Sequence, residues 1–265
     1  MLMARDDGRL WTGRSRLLDA QYRTDANLAA RQSLYIWQRP RRDLPPMVLD
    51  LAALRGSETV ADVGCGNGAY LAELGRRGHA APVLGIDLSA GMLHAARSRA
   101  PAAILAAGDA AALPLRDDIS DLTLAMHMLY HLPRPSAAVR ELRRITRPGG
   151  QVLVVLNGQD HLRELHDLVT TALGSITGGQ LPHRERLRLD DGEDFLASEF
   201  TSVTRHDFTS ELLIPDPGPV EDYVRSMTIT QDLPDPGAFA AAVASLIPRS
   251  GTFRVRTHTG CLVCR

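Results

Sequence analysis

Residues 61–70 read ADVGCGNGAY. A short apolar run, TVADVG at 59–64, opens into glycines at every second position, Gly64, Gly66 and Gly68, and then into the helical stretch AYLAELGRR at 69–77. The same alternation continues outward from this point. PVLGIDL (82–88) reads as a strand, AGMLHAARSR (90–99) as a helix with Ser89 placed to cap it, and AAILAAGD (102–109) and DLTLAMHML (121–129) as strands. PSAAVRELRRIT (135–146) reads as a helix ended by Pro-Gly-Gly, and QVLVVLN (151–157) as a fifth strand. These apolar runs are nearly continuous, the pattern of strands covered by helices on both faces. Strands and helices in alternation predict an α/β fold with a doubly wound, Rossmann-like parallel sheet.

Upstream, residues 15–38 carry helix formers and end in RPRRDLPP (39–46), whose prolines mark a hinge before a helix over 47–55. Downstream come a helix over 160–173, a polar stretch to about residue 194, a strand around 200–214, two Pro-bounded helices (218–229 and 236–247) and a final alternating strand, 252–265. This organisation predicts an N-terminal helical lid over residues 1–46 and a core over 47–265 with insertions around 160–250.

A chain of 265 residues, 44% of them hydrophobic, is long enough to bury the core of one large α/β domain. Its 30 basic and 31 acidic residues nearly cancel, so no overall field draws nucleic acid or an anionic membrane. All the basic residues are Arg; there is no Lys. No apolar run approaches the roughly eighteen residues that a membrane span needs, and MLMARDDGRLW at the start lacks the apolar stretch of a secretory signal. Three cysteines, Cys65, Cys261 and Cys264, cannot all pair. Together these features predict a cytoplasmic protein. Cys261 and Cys264 form a C-x-x-C, which is half a zinc site, and an extended strand would point them to opposite faces.

The glycine loop limits its ligand. A P-loop sets Lys and Ser or Thr after its glycines to meet phosphates, whereas Asn67, Gly68 and Ala69 stand here. A dinucleotide loop spaces its glycines G-x-G-x-x-G. The tighter G-x-G-x-G, with acidic Asp62 in the strand before it, suits a ligand with an amino-acid end: the carboxylate attracts an ammonium, and backbone N–H groups take a carboxylate. Asp87 ends the second strand, where a carboxylate accepts from ribose hydroxyls. Asp109 ends the third, where it can accept from an adenine amino group while the Ala110 N–H reaches a ring nitrogen.

In these motifs the sequence resembles the class I S-adenosylmethionine-dependent methyltransferases, in the small-molecule branch that holds the menaquinone and ubiquinone methyltransferases. The likeness runs over about residues 45–157 through VADVGCGNG, GIDLS, GDAAALPLRDDISDL, HMLYHLP and RELRRITRPGGQVLVV. It implies a seven-stranded sheet with the last strand antiparallel and S-adenosylmethionine as cofactor, S-adenosylhomocysteine being the product. The cofactor would be held by Asp62, Gly64, Cys65, Gly66, Asp87, Leu88, Met92, Asp109 and Ala110. It also implies that the N-terminal helices close over the site, making Tyr22, Arg23, Arg31, Tyr35 and Trp37 candidates there, with Tyr22 and Arg31 toward the cofactor. The region 160–250 would shape an acceptor pocket, and secondary-metabolite or peptide-derived acceptors fit this branch.

Methyl transfer needs alignment, desolvation and sometimes a base. AMHMLYHLP (125–133) puts His127 at the end of the fourth strand, near the reacting centre and the cofactor, and His131 just beyond it. Both are candidate bases, with loop architecture as the alternative role. HMLY is not the Asn/Asp-Pro-Pro-aromatic signature of nucleobase amino-methylation. Asp117, Asp118 and Asp121 read as turn residues rather than a metal cluster. Two other readings stay open: an NAD-linked oxidoreductase on a related fold, and a non-catalytic module that keeps the fold to bind a partner.

Overall fold

The computed structural model describes residues 26–177, 187–227, 230, 233–247 and 251–265. The chain enters as helix α1 (Ala26–Ser33) and a 3₁₀ turn (Leu34–Trp37), then the two-residue strand β1 (Gln38–Arg39) and helix α2 (Leu44–Leu51). The wound part follows: β2 (Val60–Val63), α3 (Ala69–Arg76), β3 (Val83–Asp87), α4 (Ala90–Arg99), β4 (Ile104–Ala107), β5 (Ser120–Met126), α5 (Pro135–Ile145) and β6 (Thr146–Asn157). It closes with α6 (Arg163–Thr177), α7 (Leu189–Leu196), β7 (Val203–Ile214), α8 (Gly218–Arg225), α9 (Pro236–Ser245) and β8 (Phe253–Cys264).

The strands form one sheet in the order β1-β7-β8-β6-β5-β2-β3-β4. β6, β5, β2, β3 and β4 run parallel. β8 inserts antiparallel between β6 and β7, as expected of the last strand. The sheet reverses its winding between β2 and β5, which opens a crevice at the carboxyl ends of the strands there. Side chains alternate between two cores. Ala61, Val63, Val152, Val154 and Leu262 face α5 and α7, while Val60, Leu153, Val155, Cys261 and Val263 face α2 and α3. A third core joins the 3₁₀ turn, α6, α8 and α9 to the distal ends of β7 and β8.

Four elements differ from the sequence reading. Among the described residues the sheet has eight strands, not seven, because Gln38 and Arg39 pair with Leu212 and Glu211 of β7 instead of continuing a helix. The Gln38 side chain is buried and donates to the Thr257 hydroxyl. Helix α2 starts at Leu44, since prolines are tolerated in a first turn whose N–H groups have no partner. β6 begins at Thr146 and carries Pro148, Gly149 and Gly150 across a register shift against β5. The polar stretch hides α7, whose Leu189, Gly192 and Leu196 bury one face while its acids face outward. Of the three acids read as turn residues, Asp117 pairs with Arg144, Asp118 has a φ of +54° and donates its amide to the Arg144 carbonyl, and Asp121 pairs with Arg147 and accepts from the Thr59 amide.

Candidate active site

A cavity of about 1400 Å³ lies at the carboxyl ends of β2, β3, β4, β5 and β6. Among the candidates drawn from the sequence, Arg31, Tyr35, Gly64, Gly66, Asp87, Leu88, Met92, Asp109, Ala110, His127 and His131 line it. Tyr22 and Arg23 lie outside the described residues. Trp37 does not line the cavity; it packs in the third core.

Gly64, Gly66 and Gly68 all take positive φ, +72°, +54° and +77°, where side chains are strained. The turn is stitched internally. The N–H groups of Gly64 and Cys65 donate to the Ile86 carbonyl, that of Gly68 to Cys65, and that of Gly66 to Asp87 Oδ2 at 2.8 Å. This corrects the expectation that these amides stay open for a carboxylate. Cys65 is a second correction. Its thiol packs toward Gly85 with Leu71, Ala100 and Ala103, Cys65 does not line the cavity, and burial pushes its pKa upward.

Asp87 accepts from Gly66 N–H and Ser89 N–H, both at 2.8 Å. Burial raises its pKa, and these backbone donors pull it partly back. The Leu88 N–H is a third backbone donor acting on it; a carboxylate has about four lone-pair sites, so acceptor capacity remains for a ribose hydroxyl. Ser89 caps α4 by accepting from the Met92 amide, which holds Met92 against the cavity wall. Asp109 turns the chain after β4, its Oδ1 accepting from the Ala111 amide at 2.9 Å.

Asp62 sits in β2 directly behind the loop, 1% exposed, and neither carboxylate oxygen has a partner among the described residues. Burial first, then the nearby Asp87, raises its pKa to about 8. The Tyr70 hydroxyl beside it is likewise buried without a partner among the described residues. A buried carboxyl with neither donor nor cation is unfavourable, and a ligand ammonium is a group of the right charge to relieve it.

His127 directly follows β5, and its φ of +55° turns the chain out of the strand. Strain of this kind in a non-glycine residue persists only where its surroundings enforce it. The His127 amide donates to Val155, and the ring meets Tyr130 edge-on with centroids 6.5 Å apart. Burial lowers its pKa to about 4. His131 also packs against Tyr130, with centroids 4.6 Å apart and the rings tilted by 55°. Arg31 donates to the Ser226 carbonyl, and its Nε has no partner among the described residues.

The sequence reading missed Tyr70, Asn157, His161, Tyr223 and Thr259, which also line the cavity. Asn157 and His161 carry a readable signal, because they stand at and just after the carboxyl end of a parallel strand. Tyr223 enters from α8 by tertiary packing and leaves no local mark. Among the described residues, no three His, Cys, Asp or Glu side chains converge on a point that could hold a metal. Cys261 and Cys264 face different cores, and burial raises both thiol pKa values, that of Cys264 to about 12.

Residues 61–154 match the family model described as a methyltransferase domain. An uncharacterized methyltransferase of Mycobacterium tuberculosis is 30% identical over 189 residues, which cover 69% of this chain and 70% of that protein. A demethylmenaquinone methyltransferase of Mycobacterium tuberculosis is 34% identical over 152 residues, 57% of this chain and 58% of that one. In fold, a Bacillus halodurans crystal structure superposes with a TM-score of 0.60 at 18% identity, covering 84% of this chain and 99% of the other.

Proposed function

The chain belongs to the class I S-adenosylmethionine-dependent methyltransferases, and on that premise we propose that it methylates a small molecule, at oxygen, nitrogen or carbon, inside the strand-end cavity. The observation that carries the reading is a row of acids at and just behind the cavity: Asp62 inside β2 behind the glycine loop, buried without a partner among the described residues, Asp87 at the end of β3 with acceptor capacity to spare, and Asp109 at the next turn. These residues fit the cofactor. Asp62 would meet its ammonium, Asp87 its ribose diol, Asp109 and the Ala110 amide its adenine, with Leu88 and Met92 as apolar walls and Arg31 as a cation for a carboxylate. When bound, S-adenosylmethionine supplies a methyl group on sulfonium-activated carbon, open to in-line displacement.

The protein's own part is to align and desolvate the acceptor. His127 is neutral near pH 7, so its free nitrogen can accept a hydrogen bond from an acceptor hydroxyl or amine. An imidazole whose conjugate acid has a pKa of about 4 is a weak base, which favours alignment, or deprotonation of an acidic phenol, enol or carboxylic acid, over deprotonation of an alcohol. Helix α1, the 3₁₀ turn, α6 and α8 wall the side away from the glycine loop and would shape acceptor choice.

The test is transfer of label from methyl-tritiated S-adenosylmethionine to small molecules of a cell extract. Label should move to a non-protein product with wild type and not with Asp87→Ala. Absence of calorimetric heat with millimolar S-adenosylhomocysteine would overturn the reading.

A further inference from the structure

Tyr35 and His161 meet on the cavity wall away from the glycine loop, and their hydrogen bonds fix where each proton lies. The backbone N–H of His258 donates to His161 Nδ1 at 3.2 Å. A main-chain amide can only donate, so Nδ1 keeps its lone pair and the neutral ring carries its hydrogen on Nε2. That Nε2 stands 3.1 Å from the Tyr35 hydroxyl oxygen. The imidazole therefore donates and the phenol oxygen accepts, which leaves the phenolic hydrogen without an acceptor among the described residues.

The pair is held rigidly. His258 lies in β8, one residue past the last pair with β6, Asn157 with Thr259, and its carbonyl accepts from the Gly158 amide at 2.9 Å. The sheet end thus grips the imidazole, and the imidazole orients the phenol, with the two rings 23° from parallel. Both residues line the cavity. His161 follows β6, two strands from the glycine loop on β2, roughly 9–10 Å across the sheet. His127, at the end of the intervening β5, stands between the loop and the pair.

We propose that Tyr35, oriented by His161, is a fixed hydrogen-bond donor that holds a carbonyl or comparable acceptor oxygen of the molecule being methylated, on the far side of His127 from the cofactor. The inference rests on the methyl-transfer reading of the cavity and names the acceptor chemistry. The surroundings keep the donor constant. His127, His166 from α6 and His258 from β8 act electrostatically on His161, as Tyr130 and Tyr223 do on Tyr35. Burial and these histidines lower the His161 pKa to about 3, while burial raises that of the phenol, so both groups stay neutral between pH 5 and 8.

The probes are α-tetralone and tetralin, a flat apolar body with and without one carbonyl. Each is titrated calorimetrically into the protein saturated with S-adenosylhomocysteine. Wild type should bind the ketone about three- to tenfold tighter than the hydrocarbon, the worth of one net hydrogen bond. Tyr35→Phe should bring that ratio close to one, lower neither tetralin nor S-adenosylhomocysteine affinity, and return the infrared carbonyl band of bound ketone to higher frequency. His161→Phe should erode the same ratio, with no further loss in the double variant. A second check is the ¹⁵N signature of His161, expected as the Nε2-protonated tautomer from pH 5 to 8. The proposal is overturned by no saturable ketone binding, by a ratio that survives Tyr35→Phe, or by the Nδ1-protonated tautomer. A matching fall in S-adenosylhomocysteine affinity would also overturn it, moving Tyr35 to the cofactor. Absence of S-adenosylhomocysteine binding in wild type is the distinct result that removes the underlying reading first.

Discussion

Asp62 and His127 are pushed in opposite directions by the same cause, burial, and each shift has a measurable sign. The Asp62 pKa rises from 3.8 to about 8 on folding, so between those values the folded chain holds a proton that the unfolded chain has lost. Stability from this group is present below about pH 4 and is lost progressively as pH rises to about 8. Asp62→Asn should flatten that slope, and thermal unfolding at pH 6 and pH 8 measures it. A cation bound at Asp62 ionises it. S-adenosylhomocysteine binding at pH 7 should then release up to about one proton, seen as a buffer-dependent calorimetric heat that Asp62→Asn abolishes. His127 runs the other way, its pKa falling from 6.5 to about 4, so its neutral form is present throughout the working range and the folded state loses stability only as pH drops below about 6.5. His127→Ala should lower turnover by roughly ten- to a hundredfold with S-adenosylhomocysteine affinity little changed. The acid limb of the wild-type rate should fall below pH 5, not near 6.5; unchanged turnover in the variant would take His127 out of the mechanism.

At the scale of elements, the glycine loop and the β5 turn are a single device. A Cβ on Gly64 would stand 2.8 Å from the Cβ of Met128, the residue after His127, and its φ of +72° would strain any side chain. Gly66 also has positive φ, yet a Cβ there meets nothing within 4 Å among the described residues. Gly66→Ala should therefore cost about 1 kcal/mol of strain, whereas Gly64→Ala adds an overpacking term of about 1–3 kcal/mol and displaces the His127 turn. Urea unfolding gives the two stabilities, and a fall in turnover beyond the loss of folded protein in Gly64→Ala alone would show the coupling. The wound strands, their order of appearance and the acids at their ends were legible in the sequence, because each is encoded locally by an apolar run, a turn and one polar residue. β1 and α7 were not. A two-residue strand has no periodicity to read, and α7 hides its three-residue apolar face, Leu189, Gly192 and Leu196, among Asp and Glu. The inward turn of Cys65 escaped for a related reason, since a positive-φ loop obeys no alternation.

For the molecule as a whole, the cavity joins two bodies of structure that the sequence encodes unequally. One is the strand-end row from β2 to β5, whose motifs carry the cofactor reading. The other is the third core, where the 3₁₀ turn, α6 and α8 bring Tyr35, His161 and Tyr223 to the opposite wall through contacts far apart in the chain. A ligand seated on the first body stabilises only the folded state, so its effect is fixed by mass action. S-adenosylhomocysteine at about a hundred times its dissociation constant should add about 2.7 kcal/mol, and a domain of this size gains roughly 2–4 °C per kcal/mol, giving a rise of about 5–11 °C in unfolding temperature. NADH should give none, because the helix after the loop lacks the G-x-G-x-x-G spacing that brings a pyrophosphate onto a helix N-terminus. Differential scanning fluorimetry with the two ligands compares methyl transfer with hydride transfer on the same fold. A shift with NADH and none with S-adenosylhomocysteine would mean that Asp87 holds the ribose of a dinucleotide, and the assignment of Asp62 to an ammonium would fall with it.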